Sequence, residues 1–340
     1  KLMGASAGLA GAGMLGVGCR RPEEIIVPFG SEQEPGQDYV HGVPMYFATA
    51  MPTRTGAIPL LAESNEGRPT KVSGNPDCPS VEGSADGFAY ASILNLYDPD
   101  RARQYTKNGK VFTKRNALDE LSEMGSKEGA RTAFLMPEST SPSRKRLIKD
   151  IQAKFGDRVG FYVHEALDFK IHQRAATEAF GRPIRPSWKL AKASVVLSLD
   201  CDFMGAEEGS GHYTCDFSKT RKLAKASDQM SRLYSVEALL TQTGANADHR
   251  LRSNASQIAL VASYLAKKLG IEVPSGSADV DTGLSDNQTA WLDACLKDLK
   301  NHSGKGLVLS GYRQPEAVHI LVHRINDALG NNGKTIEFLP

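Results

Sequence analysis

Residues Met45 to Arg103 read MYFATAMPTRTGAIPLLAESNEGRPTKVSGNPDCPSVEGSADGFAYASILNLYDPDRAR, and the punctuation of this stretch sets the architecture around it. Three runs have strand composition: Met45–Met51, Ile58–Glu63 and Thr70–Ser73. Between them lie Met51-Pro52-Thr53-Arg54-Thr55-Gly56 and Glu66-Gly67-Arg68-Pro69, where Gly and Pro break an extended chain into turns. Gly74-Asn75-Pro76 closes the third run. After Ser84-Ala85-Asp86-Gly87, Phe88–Leu96 reads as a helix that stops at Leu96-Tyr97-Asp98-Pro99-Asp100-Arg101. Residues 44–110 are therefore expected to form a small β-rich subdomain.

Beyond it the texture alternates. Helices are expected over Asn116–Met124, Ser143–Phe155, Ala166–Ala179, Phe217–Ala226, Ser256–Leu269, Asn287–Leu299 and Pro315–Leu329. Strands are expected over Thr132–Met136, Val159–Val163, Ala193–Leu199, Arg232–Val236, Gly306–Leu309 and Thr335–Leu339. Apolar strands interleaved with helices of about 10–15 residues imply a parallel sheet covered on both faces. Residues 111–340 thus read as a Rossmann-like α/β region of doubly wound parallel-sheet layers, with no repeat of solenoid period.

At 340 residues the chain has room for more than one core. Its 40% hydrophobic and 24% charged residues are ordinary for a folded soluble protein. A net charge of +2, from 41 basic against 39 acidic residues, leaves no footprint for nucleic acid. Five cysteines (Cys19, Cys78, Cys201, Cys215 and Cys295) are scattered without a C-x-x-C, which argues against a zinc ribbon or a local cluster loop. Their odd number argues against a complete disulfide framework. The chain starts at Lys1 and stops at Pro340 straight after an apparent strand, so a longer polypeptide, or one half of a split one, is expected.

Residues 1–22 read as an export-signal-like hydrophobic segment. Leu2 to Gly18 is uncharged, rich in small residues and bounded by Lys1 and Arg20-Arg21. It falls short of the roughly 20 strongly apolar residues of a membrane span. Gly18-Cys19 offers a lipidation site at Cys19, although Leu15 stands four residues before the cysteine rather than three. Retention of the segment as an interfacial tether is the competing and preferred expectation. Residues 23–43, rich in Pro, Gly and acidic side chains, read as an extended linker.

Open α/β sheets bind ligands beyond the carboxyl ends of their strands, which singles out two loops. Asp200-Cys201-Asp202-Phe203-Met204-Gly205 follows the Ala193–Leu199 strand, and its carboxylates flanking a cysteine have metal-binding composition. No histidine lies nearby until His212, so turn chemistry around a small buried thiol is the stronger reading. Ser310-Gly311-Tyr312-Arg313-Gln314-Pro315 sets Pro315 in the first turn of a helix, whose N-terminus attracts anions. The loop lacks a GxGxxG fingerprint, and a structural turn is preferred. His319 and His323 have metal-ligand spacing, but no Glu lies between them as in HExxH and no third ligand is suggested. They read as packed or solvent-facing. Asp248-His249-Arg250 sets a carboxylate beside an imidazole without a Ser or Cys nucleophile at useful spacing, and equally fits a loop pinned by charge-assisted hydrogen bonds. No catalytic, cofactor-binding or metal residue is assigned from these motifs.

The order of strand, Glu66-Gly67-Arg68-Pro69, strand with Lys71, Gly74-Asn75-Pro76 and helix ending at Arg101 resembles the opening of molybdopterin oxidoreductases. In that family three clustered cysteines between the first two strands, and a fourth just before the helix, hold an iron–sulfur cluster. The matching positions here, Met51–Gly56 and Ser84–Gly87, offer no thiolate, and a cubane cluster needs roughly four. The family's Pro-Gly-Thr-Asp turn after its "TG…AD" segment is replaced by Arg252-Ser253-Asn254-Ala255-Ser256-Gln257, and no Ser, Cys or Asp stands out as a molybdenum ligand. With TGANADHRL, LSLDCDFMG and SGYRQPEAVH added, the set is similar to the B subunits of bacterial alternative complex III over nearly the whole chain. Lys1-Leu2-Met3 fits the tail of a twin-arginine signal.

The resemblance implies a molybdopterin-oxidoreductase-like α/β fold with no cofactor in residues 1–340. It implies a non-catalytic structural and docking portion of a membrane-bound quinol:electron-acceptor oxidoreductase, in a respiratory or photosynthetic electron-transport chain. The implied place is the periplasmic face of the bacterial inner membrane. The implied partners are a cluster-bearing ferredoxin-like domain, a haem c subunit and an integral-membrane quinol-binding subunit. Iron–sulfur clusters are then expected beyond Pro340 or on another chain. An interface above about 1,000 Å² is expected to involve the tether and Glu23–Val43. The competing readings are an active molybdopterin oxidoreductase with degenerate ligands and a free exported α/β binding protein.

Overall fold

The structure, a computed structural model, describes residues 42–79, 81–126, 131–273 and 283–340. The 1–22 segment with Cys19, and the linker up to residue 41, lie outside the described residues. By its contacts the chain divides into two compact units. One comprises Ala62–Lys71 with the described residues up to Phe47; the other comprises Ala48–Leu61 and Val72–Pro340.

Strands β1 (Met45–Pro52), β2 (Ala57–Asn65) and β3 (Arg68–Gly74) form a sheet in that order. The turn into β3 needs Glu66 and Gly67 at φ 52 and 77, a conformation glycine adopts without cost. Helix α1 (Gly87–Tyr97) begins where the Asp86 carboxylate accepts from the Ala89 amide. Such an N-cap satisfies a donor that the helix leaves orphaned. A hairpin of β4 (Tyr105–Lys107) and β5 (Lys110–Phe112) turns through Asn108-Gly109, both at positive φ. Asn-Gly is a strong hairpin signal that the strand reading passed over.

Helix α2 (Lys114–Ser126), strand β6 (Thr132–Met136), helix α3 (Pro142–Phe155) and strand β7 (Val159–Val163) follow. β6 and β7 pair in parallel, and no third strand joins them among the described residues. The remaining elements are α4 (Ile171–Phe180), β8 (Arg185–Trp188), β9 (Val195–Leu199), α5 (Ser210–Lys219), β10 (Arg232–Glu237), α6 (Gln242–Ala245), β11 (His249–Arg252), α7 (Ile258–Lys268), α8 (Asp286–Asn301), β12 (Gly306–Ser310), α9 (Glu316–Ala328) and β13 (Ile336–Leu339).

Four of these strands form a parallel sheet in the order β11-β10-β9-β12, while β13 pairs antiparallel with β8. The expected α/β class with parallel strands is present. Alternation along β9 explains its all-apolar reading. Val195, Leu197 and Leu199 pack with residues of α7, α8 and α9, whereas Val196 packs with Trp188, Phe203, Phe217 and Ile336. Both faces of the sheet are covered.

Several expectations shift. The helix foreseen at Phe217–Ala226 instead starts at Ser210, after Gly209 at φ 84, and stops at Lys219. Lys222–Ala226 contains good helix formers but is exposed, and the Asp228 carboxylate accepts from the Ala224 and Lys225 amides. That local turn competes with helix formation. The helix foreseen from Ala166 begins at Ile171, because a turn brings the Ile171 amide to the Asp168 carbonyl. β8 and β11 were not foreseen. β11 holds three charged or titratable residues and lies at the sheet edge, where such side chains are tolerated.

Candidate functional site

Strand order reverses between β9 and β12, and the crevice beyond their carboxyl ends is where sheets of this kind take ligands. The two loops singled out by sequence meet there. The Gly311 amide donates to the Leu199 carbonyl at 3.0 Å. A Cβ on Gly311 would lie 1.9 Å from the Asp200 carbonyl oxygen, so only glycine permits this approach. Asp200 itself holds φ 50.

Its carboxylate accepts from Gln314 Nε2 at 2.9 Å and pairs with Arg313 Nη2 at 3.3 Å. Burial pushes the Asp200 carboxyl up; Arg313 and Gln314 pull against it, and Glu237 and Glu207 reinforce it. Asp202 turns the other way, accepting from the Thr243 amide at 3.0 Å and hydroxyl at 2.8 Å and from the Ala206 amide at 3.0 Å. Cys201 is buried between them. Burial, then Glu207, Asp202 and Asp200, push its thiol well up. The protonated thiol is neither a nucleophile nor a metal ligand.

Glu207, itself buried, accepts from the Tyr312 amide at 2.9 Å and pairs with His172 Nε2 of α4 at 3.0 Å. The His172 ring meets Trp188 and His319 edge-on, at centroid distances of 5.4 and 4.9 Å. His319 and His323 are packed rather than solvent-facing. Burial, with His172 and His323 adding, lowers His319 to about 3. Burial and then His172 lower His323 to about 4. Both rings are neutral at neutral pH, and His319 Nε2 and His323 Nδ1 have no hydrogen-bond partner. Among the described residues no group of three or more His, Cys, Asp or Glu side chains is placed to hold a metal ion.

Strand geometry separates Asp248, His249 and Arg250. Asp248 accepts two bonds from Arg221, at 2.9 and 2.6 Å, and one from the Leu233 amide at 2.7 Å. Burial would raise its carboxyl, but Arg221 and that amide outweigh it and keep it low. His249 stacks on Tyr234 at 4.7 Å, and Arg250 Nε holds Glu237 at 2.6 Å. The triplet pins four neighbours and forms no dyad.

The turn between β1 and β2 carries a second network that no motif announced. Arg54 binds Glu208 through Nε at 3.2 Å and Nη2 at 2.6 Å, and Glu138 through Nη1 at 3.0 Å. Glu138 also meets Lys170 at 2.8 Å. Burial acts to raise the Glu138 carboxyl, but Lys170 and Arg54 hold it below the usual carboxylate range. At Ser84–Gly87, Asp86 is engaged as the cap of α1, and a Cβ on Gly211 would lie 2.9 Å from the Ala85 carbonyl carbon. A cleft of about 810 Å³ opens beside these groups, with Arg54, Lys170, His172, Glu207 and Tyr213 on its walls.

Sequence reasoning found both loops but missed His172, Glu207 and the partners of Arg54. The adjacent Glu207-Glu208 pair, just after the first loop, was the available signal. Comparison with family models and with curated proteins finds no match for this chain.

Proposed function

We propose that this chain is a non-catalytic docking portion of a membrane-bound quinol:electron-acceptor oxidoreductase of the alternative complex III type, on the periplasmic face of the bacterial inner membrane. The observation that carries this reading is that the charged groups of the crevice at the strand-order reversal are committed within the chain. A charged cofactor needs counter-charges left free, but Asp200, Asp202, Glu207 and Arg313 are each engaged with another group of the chain.

The loop matching the cluster-binding position offers hydroxyls and a guanidinium already bound by two carboxylates, a donor set that does not fit an iron–sulfur cluster. Where the pterin-binding turn would lie, Asn254 and Gln257 satisfy each other in a capping box. No catalytic step is therefore routed through either group. Function then moves to the surface, since activities reside in sites rather than in folds. Helix α1 supports this by exposing Phe88, Tyr90, Leu94, Leu96 and Tyr97, a concentration of apolar side chains typical of interaction surfaces. By resemblance the partners are a cluster-bearing ferredoxin-like domain, a haem c subunit and a quinol-binding membrane subunit.

Metal and pterin analysis of the membrane-extracted assembly, with the intact mass of this chain, tests the reading. Iron should trace to other polypeptide, and molybdenum should be missing. Molybdenum stoichiometric with this chain would overturn the proposal in favour of an active molybdopterin oxidoreductase. The cleft of about 810 Å³ favours one other reading, a free exported binding protein. That reading requires a chain that purifies alone and retains a small molecule in native mass spectrometry.

A further inference from the structure

β6 and β7 have the composition of buried strands, TAFLM and VGFYV, yet none of their residues is buried. The parallel register sets Phe134 beside Phe161, with rings stacked 5.1 Å apart, and Leu135 beside Tyr162 on the opposite face. Both faces expose large apolar groups: Leu135 is 75% and Tyr162 59% exposed on one, Phe134 41% and Val163 58% on the other. Parallel sheets occur almost only with both faces covered, and two strands alone make a marginal sheet. Among the described residues no third strand lies beside either outer edge, and an open edge is a template for another strand.

The adjacent helix α3 has no buried residue. It carries Arg144, Lys145, Arg146, Lys149 and Lys154 against a single carboxylate, Asp150, and no ion pair reaches these cations among the described residues. We propose that the β6–β7 pair is completed by an apolar β-strand of a partner polypeptide, flanked by acidic side chains that meet the exposed cations of α3. An added strand satisfies an open edge through backbone hydrogen bonds and fills alternate side-chain sites. Lipid tails offer no such bonds, so the surface is assigned to protein rather than to an anionic membrane. Opposite charge at the rim steers and orients the partner. The inference deepens the docking reading and rests on it for the partner's presence in the same assembly.

A photo-crosslinking residue at Leu135 or Tyr162, in the full chain within its native membrane assembly, tests this together with hydrogen exchange. Crosslinks should fall on one polypeptide segment of alternating apolar residues with Asp or Glu beside it. Amides of Thr132–Met136 and Val159–Val163 should exchange at least about tenfold more slowly in the assembly than in the isolated chain. Both effects should be lost in the double variant Arg146→Glu, Lys149→Glu, while its isolated chain melts as the parent does. Crosslinks to lipid alone, crosslinks to a second copy of this chain, or equal exchange in the two states each overturn the proposal. Equal exchange in an assembly that still holds the chain and oxidises quinol defeats this surface and leaves the docking reading standing. A chain that is found in its native cells outside any membrane assembly defeats the docking reading itself.

Discussion

Strands β9 and β6 are both five residues long, both mainly apolar and both paired in parallel, but every residue of β9 is buried and none of β6 is. Composition does not separate them, since VVLSL even includes a serine. Neighbours do. β9 has a strand on each side and a packed cluster against each face. Among the described residues β6 has one strand beside it, and helix α3 buries no residue. Apolar composition reports the burial a strand is built for; whether the cover comes from the same residues or from elsewhere is a separate property.

Leu197→Ala and Leu135→Ala bracket that contrast. Leu197, fully buried in the middle of β9, should cost about 2–5 kcal/mol by urea denaturation, the range for a core cavity. A loss for Leu197 no larger than that for Leu135 would end the comparison. Gly311→Ala should come next, at about 3 kcal/mol, because the new methyl meets backbone rather than a yielding side chain. A variant as stable as the parent would mean that the two loops are not in contact.

Acid should weaken the covered region selectively. His319 and His323 stay neutral in the fold down to about 3 and about 4, whereas the unfolded chain protonates them near 6.5. Their contribution is therefore full above that value and is lost as pH falls toward the folded values. Between pH 6.5 and 5.5 the two should remove about 2 kcal/mol together. The double variant His319→Leu, His323→Leu should flatten that slope, and a slope unchanged in the variant would assign it to other groups. The smallest effect belongs to the uncovered pair. Leu135→Ala should shift the isolated chain's stability by less than about 0.5 kcal/mol, as surface changes do. A larger loss would show that Leu135 already has a cover within the chain.

The sequence revealed β9 and β12 because two-sided burial writes continuous apolar runs, ASVVLSL and GLVLS. It placed both following loops for the same reason. It did not show that the loops touch, since Asp200 and Arg313 are 113 positions apart and only the sheet order joins them. The Glu207-Glu208 pair was a signal without a partner, because a single imidazole on a helix carries no spacing that would link His172 to it; the packing of α4 brings the two together. Pro186 masked β8, because proline cannot donate to a ladder and demotes a run to an edge strand, which is what β8 is.

The open strand pair also bears on how the protein must be made. A freshly folded copy carries exposed parallel edges lined with Leu135, Tyr162 and Val163, and such edges recruit whichever chain arrives first. Produced alone at high concentration, the chain should be lost to inclusion bodies in proportion to its own abundance. Produced at the pace of the proposed partner, the same edges should be occupied before two copies meet. Soluble yield then measures how evenly two polypeptides are supplied, more than how stable either fold is.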